Sequence, residues 1–183
     1  GSVRIRQEST VFEADSAVYN RQGRTVEAFG NVHINDRDSI HTYSDYLHYR
    51  TDTRVASLKK GVRLTDGVSD LYTQDLEYDV NARTGIYRNG GRVVNGSTTL
   101  TSDRAVYYAD PKDVHFAGGV TLRDPQYDLQ SDSLLYNTET EITSFLTHTV
   151  IRDSAGRTIQ TSDGYYDLHS KKAFFGKRPV IRD

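Results

Sequence analysis

The sequence predicts an all-β protein, folded as an antiparallel meander of about six two-strand repeats, with about 12 strands. Three observations lead to this prediction: a repeat of about 29 residues, runs in which apolar and polar residues alternate, and a composition suited to strands. Tyr is frequent, and Asp is about three times as common as Glu. Asp favours turns and strand ends, whereas Glu favours helices, and no stretch shows the 3.6-residue apolar period of a helix.

An aspartate marks each repeat and recurs about every 29 residues. A tyrosine follows three or four positions later, then a polar turn, and then an alternating strand that usually contains glycine. Such a glycine indicates a bulge or sharp bend, which lets a long strand fold around an interior. Turn signals twice per repeat favour antiparallel pairing of neighbouring strands. The aspartates are Asp15, Asp45, Asp75, Asp103, Asp132 and Asp163, and the tyrosines are Tyr19, Tyr49, Tyr78, Tyr107, Tyr136 and Tyr166.

The second strand of each repeat alternates with a period of two, which predicts one apolar face and one face in water. The apolar face is the candidate interior surface, although the same pattern also fits a closed hydrophobic core. We expect each repeat tyrosine to leave its hydroxyl in water and each repeat aspartate to bond backbone amides. The candidate interior residues are Val26, Ala28, Val32, Ile34, Leu58, Val62, Leu64, Val114, Phe116, Val120, Leu122, Ile142, Leu146 and Val150.

The composition argues against several classes of function. The chain has no Cys, which excludes a disulfide framework and Cys-based metal or nucleophile sites. A net charge of −2 argues against a nucleic-acid binder. The six histidines show no metal-ligand spacing, and the repeat spreads its polar residues evenly instead of concentrating them as an enzyme does. We therefore expect no enzyme, no cofactor and no metal.

Two segments carry a resemblance to a known family: "ADSAVYNRQGRTVEAFGNVHI" at residues 14–34 and "SDRAVYYADPKDVHFAGGVTL" at residues 102–122. The pattern of Ser-Asp, Tyr, polar turn, alternation and Gly resembles the OstA-like lipopolysaccharide-transport family. That family includes a periplasmic bridge protein and the periplasmic domain of the outer-membrane translocon. All six copies fit to some degree. The third and sixth depart at the tyrosine, and the fifth has Thr147-His148 in place of the glycine.

The resemblance implies a β-taco, or β-jellyroll, forming a single domain over residues 1–183. Residues 1–9 are then a tag-removal scar, Gly1-Ser2, and an irregular lead-in. The implied activity is to shield the acyl chains of lipid A in a groove lined by the candidate interior residues. Like modules would stack edge to edge, including head-to-tail copies of this chain, through a first strand near residues 10–19 and a last near 171–181. The implied location is the periplasm of a Gram-negative bacterium, with a signal peptide removed.

A soluble β-solenoid that binds carbohydrate or mediates adhesion is the alternative. A coil of about 29 residues would suit that architecture, which stacks its strands in parallel. Two hairpin-like turns in each repeat favour the antiparallel meander instead.

Overall fold

The structure, a computed structural model, describes residues 2–176 and 179–182. Over these residues it contains nineteen strands, and it contains no helix that could cross a membrane. The strands are β1 (Val3–Gln7), β2 (Thr10–Ala14), β3 (Ser16–Asn20), β4 (Thr25–Asp36), β5 (Ile40–Arg50), β6 (Val55–Thr65), β7 (Asp70–Asp79), β8 (Thr84–Tyr87), β9 (Gly91–Asn95), β10 (Thr98–Ser102), β11 (Arg104–Tyr108), β12 (Asp113–Asp124), β13 (Tyr127–Asn137), β14 (Ile142–Phe145), β15 (Thr149–Asp153), β16 (Thr158–Thr161), β17 (Gly164–Asp167), β18 (Lys172–Phe174) and β19 (Val180–Arg182).

These strands form the predicted meander of about 12 long strands, some of which are divided at a bend. Strands β4, β5, β6, β7, β12 and β13 run unbroken through the bend. The others appear as successive pairs: β2 with β3, β8 with β9, β10 with β11, β14 with β15, β16 with β17, and β18 with β19. The all-β antiparallel fold is thus confirmed. The last long strand was predicted near residues 171–181, of which 177 and 178 lie outside the described residues.

The prediction of an irregular lead-in over residues 1–9 was wrong. Residues Val3–Gln7 form β1, which pairs with β2 in an antiparallel hairpin. The alternation of apolar Val3 and Ile5 with Arg4 and Arg6 suits a strand with one buried face. Gly1 lies outside the described residues.

The bends fold the strands into two facing layers. Sheet I contains β1, β2, β9, β10, β15, β16 and β19, together with the adjoining halves of the unbroken strands. Sheet II contains β3, β8, β11, β14, β17 and β18, together with the remaining halves. Every one of these pairings is antiparallel, which rules out the parallel coils of the solenoid alternative.

Each bend in a glycine-bearing strand is a bulge of two residues against one. In β4 the pairing register shifts between Phe29 and Val32, so that Gly30 and Asn31 lie opposite the single residue Asp45 of β5. Both bulge residues have left-handed backbone, with φ of +72° at Gly30 and +46° at Asn31. The two residues in the bend of the bulged strand preserve its alternation, whereas the single residue in the bend of its partner reverses the partner's alternation. The glycine-bearing strands therefore keep one inner parity, and the aspartate-bearing strands change it at the bend.

In the first and fourth repeats the aspartate and the bend glycine contact each other. The Asp103 backbone amide donates to the carbonyl of Gly118 at 2.9 Å, and a Cβ added at Gly118 would lie 2.7 Å from Asp103 Oδ2. Asp15 and Gly30 repeat this arrangement, with a backbone bond of 2.9 Å. The Asp15 carboxylate accepts from Asn31 Nδ2 at 2.9 Å and not from a backbone amide as expected. The aspartate side chain therefore packs directly against the glycine of the bulge, where any other residue would place a Cβ.

Candidate functional site

The interior between the two sheets is the candidate site, because eleven of the fourteen residues predicted for it lie there. Leu58 and Phe116 come from sheet II, and Leu64 and Leu122 come from sheet I. Each of the eleven is at most 6% exposed. They are Val26, Ala28, Val32, Ile34, Leu58, Val62, Leu64, Val114, Phe116, Val120 and Leu122. The structure thus gathers apolar side chains from three repeats, the first, second and fourth, on one inner surface.

The other three, all from the fifth copy, do not face the interior. Leu146 is 47% exposed, and Ile142 and Val150 are half-buried. Their neighbours Phe145 and Ile151, each 4% exposed, face inward because they pair with buried residues of β13. In this copy, apolar residues occupy both the odd-numbered and the even-numbered positions, and no glycine marks the bend. The set of positions that faces the interior was therefore predicted wrongly.

Sequence reasoning missed the inner residues of the aspartate-bearing strands. In β5 the buried positions are Ile40, Thr42 and Ser44 before the bend, but Leu47 and Tyr49 after it. The parity changes at Asp45, so no single alternating run covers the strand. The sequence nevertheless indicated these residues. On either side of each aspartate there is a short alternating run, and the inward positions change from one run to the next. The missed interior residues include Phe12, Leu47, Leu71, Leu76, Leu100, Leu129 and Leu134.

Side chains fill the middle of the interior. A cavity between Leu64, Leu71 and Val114 holds about 10 Å³, which is about the space that one water molecule requires. Phe116, Leu122, Leu129 and other central side chains are fully buried. An acyl chain can therefore enter the middle only if the two sheets move apart.

The N-terminal end of the interior is open. A cavity of about 400 Å³ lies there, lined chiefly by Ile5, Phe12, Tyr19, Val26 and Tyr49. We call it the terminal cavity. Tyr19 is 60% exposed because β3 pairs with β4 alone within the described residues. The volume falls in the range of ordinary ligand pockets, about 300–1,000 Å³.

Four of the repeat tyrosines reach across the interior with their hydroxyls, contrary to the expectation that the hydroxyls stay in water. Each ring is buried in sheet II, and each hydroxyl bonds a residue at a turn of sheet I. Burial raises the pKa of Tyr49 to about 12, so this phenol stays neutral and able to donate. The bonds are Tyr49 to Gln7 Oε1 (2.6 Å), Tyr78 to Asp36 Oδ2 (2.9 Å), Tyr107 to Asp66 Oδ2 (3.2 Å), and Asn95 Nδ2 to Tyr136 (2.8 Å).

Ion pairs tie the turns of sheet I to those of sheet II along a line that we call the seam. The cation occupies the same position in three successive repeats, and each has left-handed backbone, with φ of +59° at Arg54, +53° at Arg83 and +61° at Lys112. The partners recur at the same period. The ties are Arg54 to Glu8 (2.9 Å), Arg83 to Asp36 (2.8 Å) and Lys112 to Asp66 (3.9 Å).

The pair of Asp36 and Arg83 is the buried tie. The side chains are 2% and 10% exposed, respectively. The Asp36 carboxylate also accepts from Thr10 Oγ1 at 3.0 Å and from the Tyr78 hydroxyl. Arg83 Nη2 donates to Ser39 Oγ at 3.2 Å. Such a network is costly to break, because each charge would remain buried without its partner.

In the next repeat, the carboxylate of Asp66 joins the two sheets in its ionised form. Burial alone would raise its pKa, but backbone amides of Ser69 and Val68, the Thr138 hydroxyl and the Lys112 charge outweigh burial, so the pKa of Asp66 is lowered. Thr138 Oγ1 donates to Asp66 Oδ2 at 2.8 Å. Asp66 is therefore ionised at neutral pH, and its bonds to Tyr107 and Thr138 hold the seam.

The C-terminal length of the seam lacks such ties. The position of Arg54, Arg83 and Lys112 is taken by Glu141 in the following repeat. Of the hydrogen bonds between described residues, only the neutral one from Asn95 to Tyr136 crosses the seam there. Among the residues that the structure describes, no ion pair crosses the seam beyond Lys112. The two sheets are consequently held together least firmly at this end.

The described residues offer no place for a metal ion formed by three His, Asp or Glu side chains. The nearest arrangement is on the outer face of sheet I, where His33 lies between Glu13 (3.2 Å) and His41 (3.0 Å). Tyr43 stacks on His33 with 4.7 Å between ring centroids. Because His33 already bonds both neighbours, the three do not converge on one point as metal ligands must.

Comparison with known proteins identifies the family. No curated protein matches the chain. Among solved structures, LptH, the LptA homologous periplasmic component of the conserved lipopolysaccharide transport device from Pseudomonas aeruginosa, is similar over 95% of this chain and 94% of that chain. The identity is 9% and the TM-score 0.31. A family model described as OstA-like protein matches residues 1–132. The chain belongs to the OstA-like protein family.

Proposed function

We propose that this OstA-like chain takes part in lipopolysaccharide transport in the periplasm of a Gram-negative bacterium. It binds the acyl chains of lipid A between its two sheets, at the eleven interior residues, and passes them to a neighbouring module. The observation that carries the proposal is an apolar interior that continues from one repeat to the next and opens into the terminal cavity. Family membership supports the lipopolysaccharide cargo. No catalytic step is proposed.

The energetics favour such a carrier. Each CH₂ group of a hydrocarbon chain costs roughly 0.8 kcal/mol in water. A chain of about a dozen such groups therefore costs on the order of 10 kcal/mol, and lipid A has several chains. A surface of Val, Leu, Ile and Phe removes this cost without specific polar contacts. Transfer between two such surfaces changes the free energy little, so a chain can move from one module to the next.

Loading requires the sheets to separate, because the middle of the interior is filled. Apolar contacts between the sheets are then replaced by contacts with the acyl chain, which are chemically similar. The polar bonds along the seam have no such replacement. They therefore set the cost of opening, and we propose that the seam is the lateral opening of the carrier.

The sheet edges supply the proposed contacts with neighbouring modules. Within the described residues, β1 pairs only with β2 and β3 only with β4, while β18 and β19 each pair with one strand at the opposite end. Such edges present unpaired backbone groups to which another strand can add. We propose that other OstA-like jellyroll proteins, or further copies of this chain, add there head to tail. The whole chain then acts as one jellyroll domain.

A tryptophan placed in the terminal cavity tests acyl-chain binding, since the chain has no natural tryptophan. We expect Tyr19→Trp to lose most of its fluorescence when lipid A with brominated acyl chains is added, because bromine quenches an indole that it touches. The matched control is Tyr108→Trp, at a residue 41% exposed on the outer face of β11. Its fluorescence should stay unchanged. Equal quenching of the two variants, or no quenching of Tyr19→Trp, would contradict the proposal.

A further inference from the structure

Two hydroxyl groups are buried near the C-terminal end of the interior without a hydrogen-bond partner. They are Tyr127 Oη and Thr143 Oγ1, and neither has a partner within hydrogen-bond distance among the described residues. The Tyr166 hydroxyl is the neighbouring polar group that interacts with Tyr127. Thr143 is fully buried and Tyr127 is 5% exposed. A buried polar group without a partner is destabilising, and native proteins rarely keep one without a reason.

The two residues belong to one cluster that spans both sheets. Thr143 of β14 pairs in register with Tyr166 of β17, and Tyr166 is 7% exposed. The Tyr166 ring lies against the Tyr127 ring, with 4.0 Å between centroids. Tyr127 belongs to the half of β13 in sheet I, whereas the other two belong to sheet II. We call Tyr127, Thr143 and Tyr166 the hydroxyl cluster.

The hydroxyl cluster adjoins the untied length of the seam. Thr143 also pairs in register with Tyr136, whose bond to Asn95 is the neutral tie described above. Glu141, which replaces the cation, lies two residues before Thr143. A ligand that parts the sheets here breaks no ion pair between described residues, so this is the easiest place for a chain to enter sideways.

We propose that the hydroxyl cluster binds the carbonyl of the ester or amide at the head of an acyl chain. The inference rests on the proposed function and adds to it a polar subsite beneath the untied seam. Tyr127 and Thr143 donate to the carbonyl oxygen, while the aromatic rings of Tyr127 and Tyr166 cover the first carbons of the chain. A carbonyl oxygen has two lone pairs and can accept both donors.

The surroundings favour a neutral acceptor over a charged one. Burial, and then the neighbouring Tyr166 and Asp124, raise the pKa of Tyr127, so the phenol is neutral and donates. The Asp124 charge also opposes a phosphate or carboxylate at this place. Burial of an unpaired ion is far more costly than burial of a neutral carbonyl. An uncharged ester or amide is therefore the group that the cluster suits.

The test removes the two hydroxyls without changing the shape of the core. The variant Tyr127→Phe/Thr143→Val is compared with the wild-type chain for binding two single-chain amphiphiles below their micelle concentrations. Sucrose monododecanoate carries an ester carbonyl, whereas dodecyl maltoside has a glycosidic link without a carbonyl. We expect the variant to bind the ester about tenfold more weakly than the wild type does and to bind the maltoside equally well. Its thermal stability should be unchanged or higher, because no satisfied hydrogen bond is lost.

Tyr87→Phe is the matched control. This tyrosine is 1% exposed, but its hydroxyl already bonds Ser102 Oγ at 2.7 Å. We expect its loss to lower stability slightly and to leave the preference for the ester intact. Equal affinity of wild type and double variant for the ester, or an equal loss for both amphiphiles, would overturn the subsite while acyl-chain binding stands. A wild-type chain that binds neither amphiphile would overturn the proposed function and the subsite together.

Discussion

Arg83→Met should lower the free energy of unfolding by about 3–5 kcal/mol. The change leaves the Asp36 carboxylate, 2% exposed, without its cation. The hydroxyls of Thr10 and Tyr78 still donate to it, but neither neutralises its charge. Because methionine fills much of the arginine's volume, the loss measures mainly the unpaired charge. Urea unfolding followed by circular dichroism gives the value.

The same repeat position supplies the control for this effect. Arg54→Met removes the cation one repeat earlier, which also has left-handed backbone. Its partner Glu8 has a side chain 67% exposed, so the loss should stay within about 1 kcal/mol. The double variant Asp36→Asn/Arg83→Met should be more stable than Arg83→Met alone, because no charge remains buried. Equal losses for the two arginines would show that the buried tie does not hold the seam.

Gly118→Ala should also be strongly destabilising, by roughly 2–5 kcal/mol in all. Part of the loss, about 1–2 kcal/mol, is the cost of a left-handed backbone for a residue with a Cβ, since φ at Gly118 is +80°. The rest comes from the clash of that Cβ with Asp103 Oδ2, 2.7 Å away. Thermal and urea unfolding of the variant measure the sum.

Gly61→Ala separates the two contributions. Gly61 has φ of +60°, but a Cβ there would meet no atom within 4 Å. We expect it to show the backbone cost alone. Replacing Asp103 with alanine in the Gly118→Ala background should recover part of the loss, because the closest clashing atoms are gone. If both glycine variants lose the same stability, the aspartate-glycine contact is not what shapes the bend.

The sequence predicted the fold because the repeat encodes its bends locally. Aspartate and glycine mark the bends in every copy but the fifth, and the glycine-bearing strands keep one parity through the bend. Their inner residues, from Val26 to Leu122, were therefore identified correctly as one face. The prediction failed in the fifth copy, where Thr147-His148 replaces the glycine and Phe145, not Leu146, points inward.

The seam was missed because its contacts join residues far apart in the chain. Tyr78 bonds Asp36 from 42 residues away, and Thr138 bonds Asp66 from 72. Propensity and alternation act over a few residues and carry no information about such pairs. A signal was present even so, since Arg54, Arg83 and Lys112 recur at the period of the repeat. Charged residues that recur at turns are also typical of a solvent-exposed surface, so their period alone does not indicate ion pairs.

Photo-crosslinking from inside the interior tests most directly whether acyl chains occupy it. A photoactivatable amino acid replaces Phe116, which is fully buried, or its neighbour His115, whose side chain bonds Ser133 Oγ on the outer face. Both variants are irradiated in bacteria that make lipopolysaccharide. We predict lipopolysaccharide adducts from position 116 and none from position 115. Adducts from 115 alone, or none from a folded 116 variant, would contradict an acyl-chain site between the sheets.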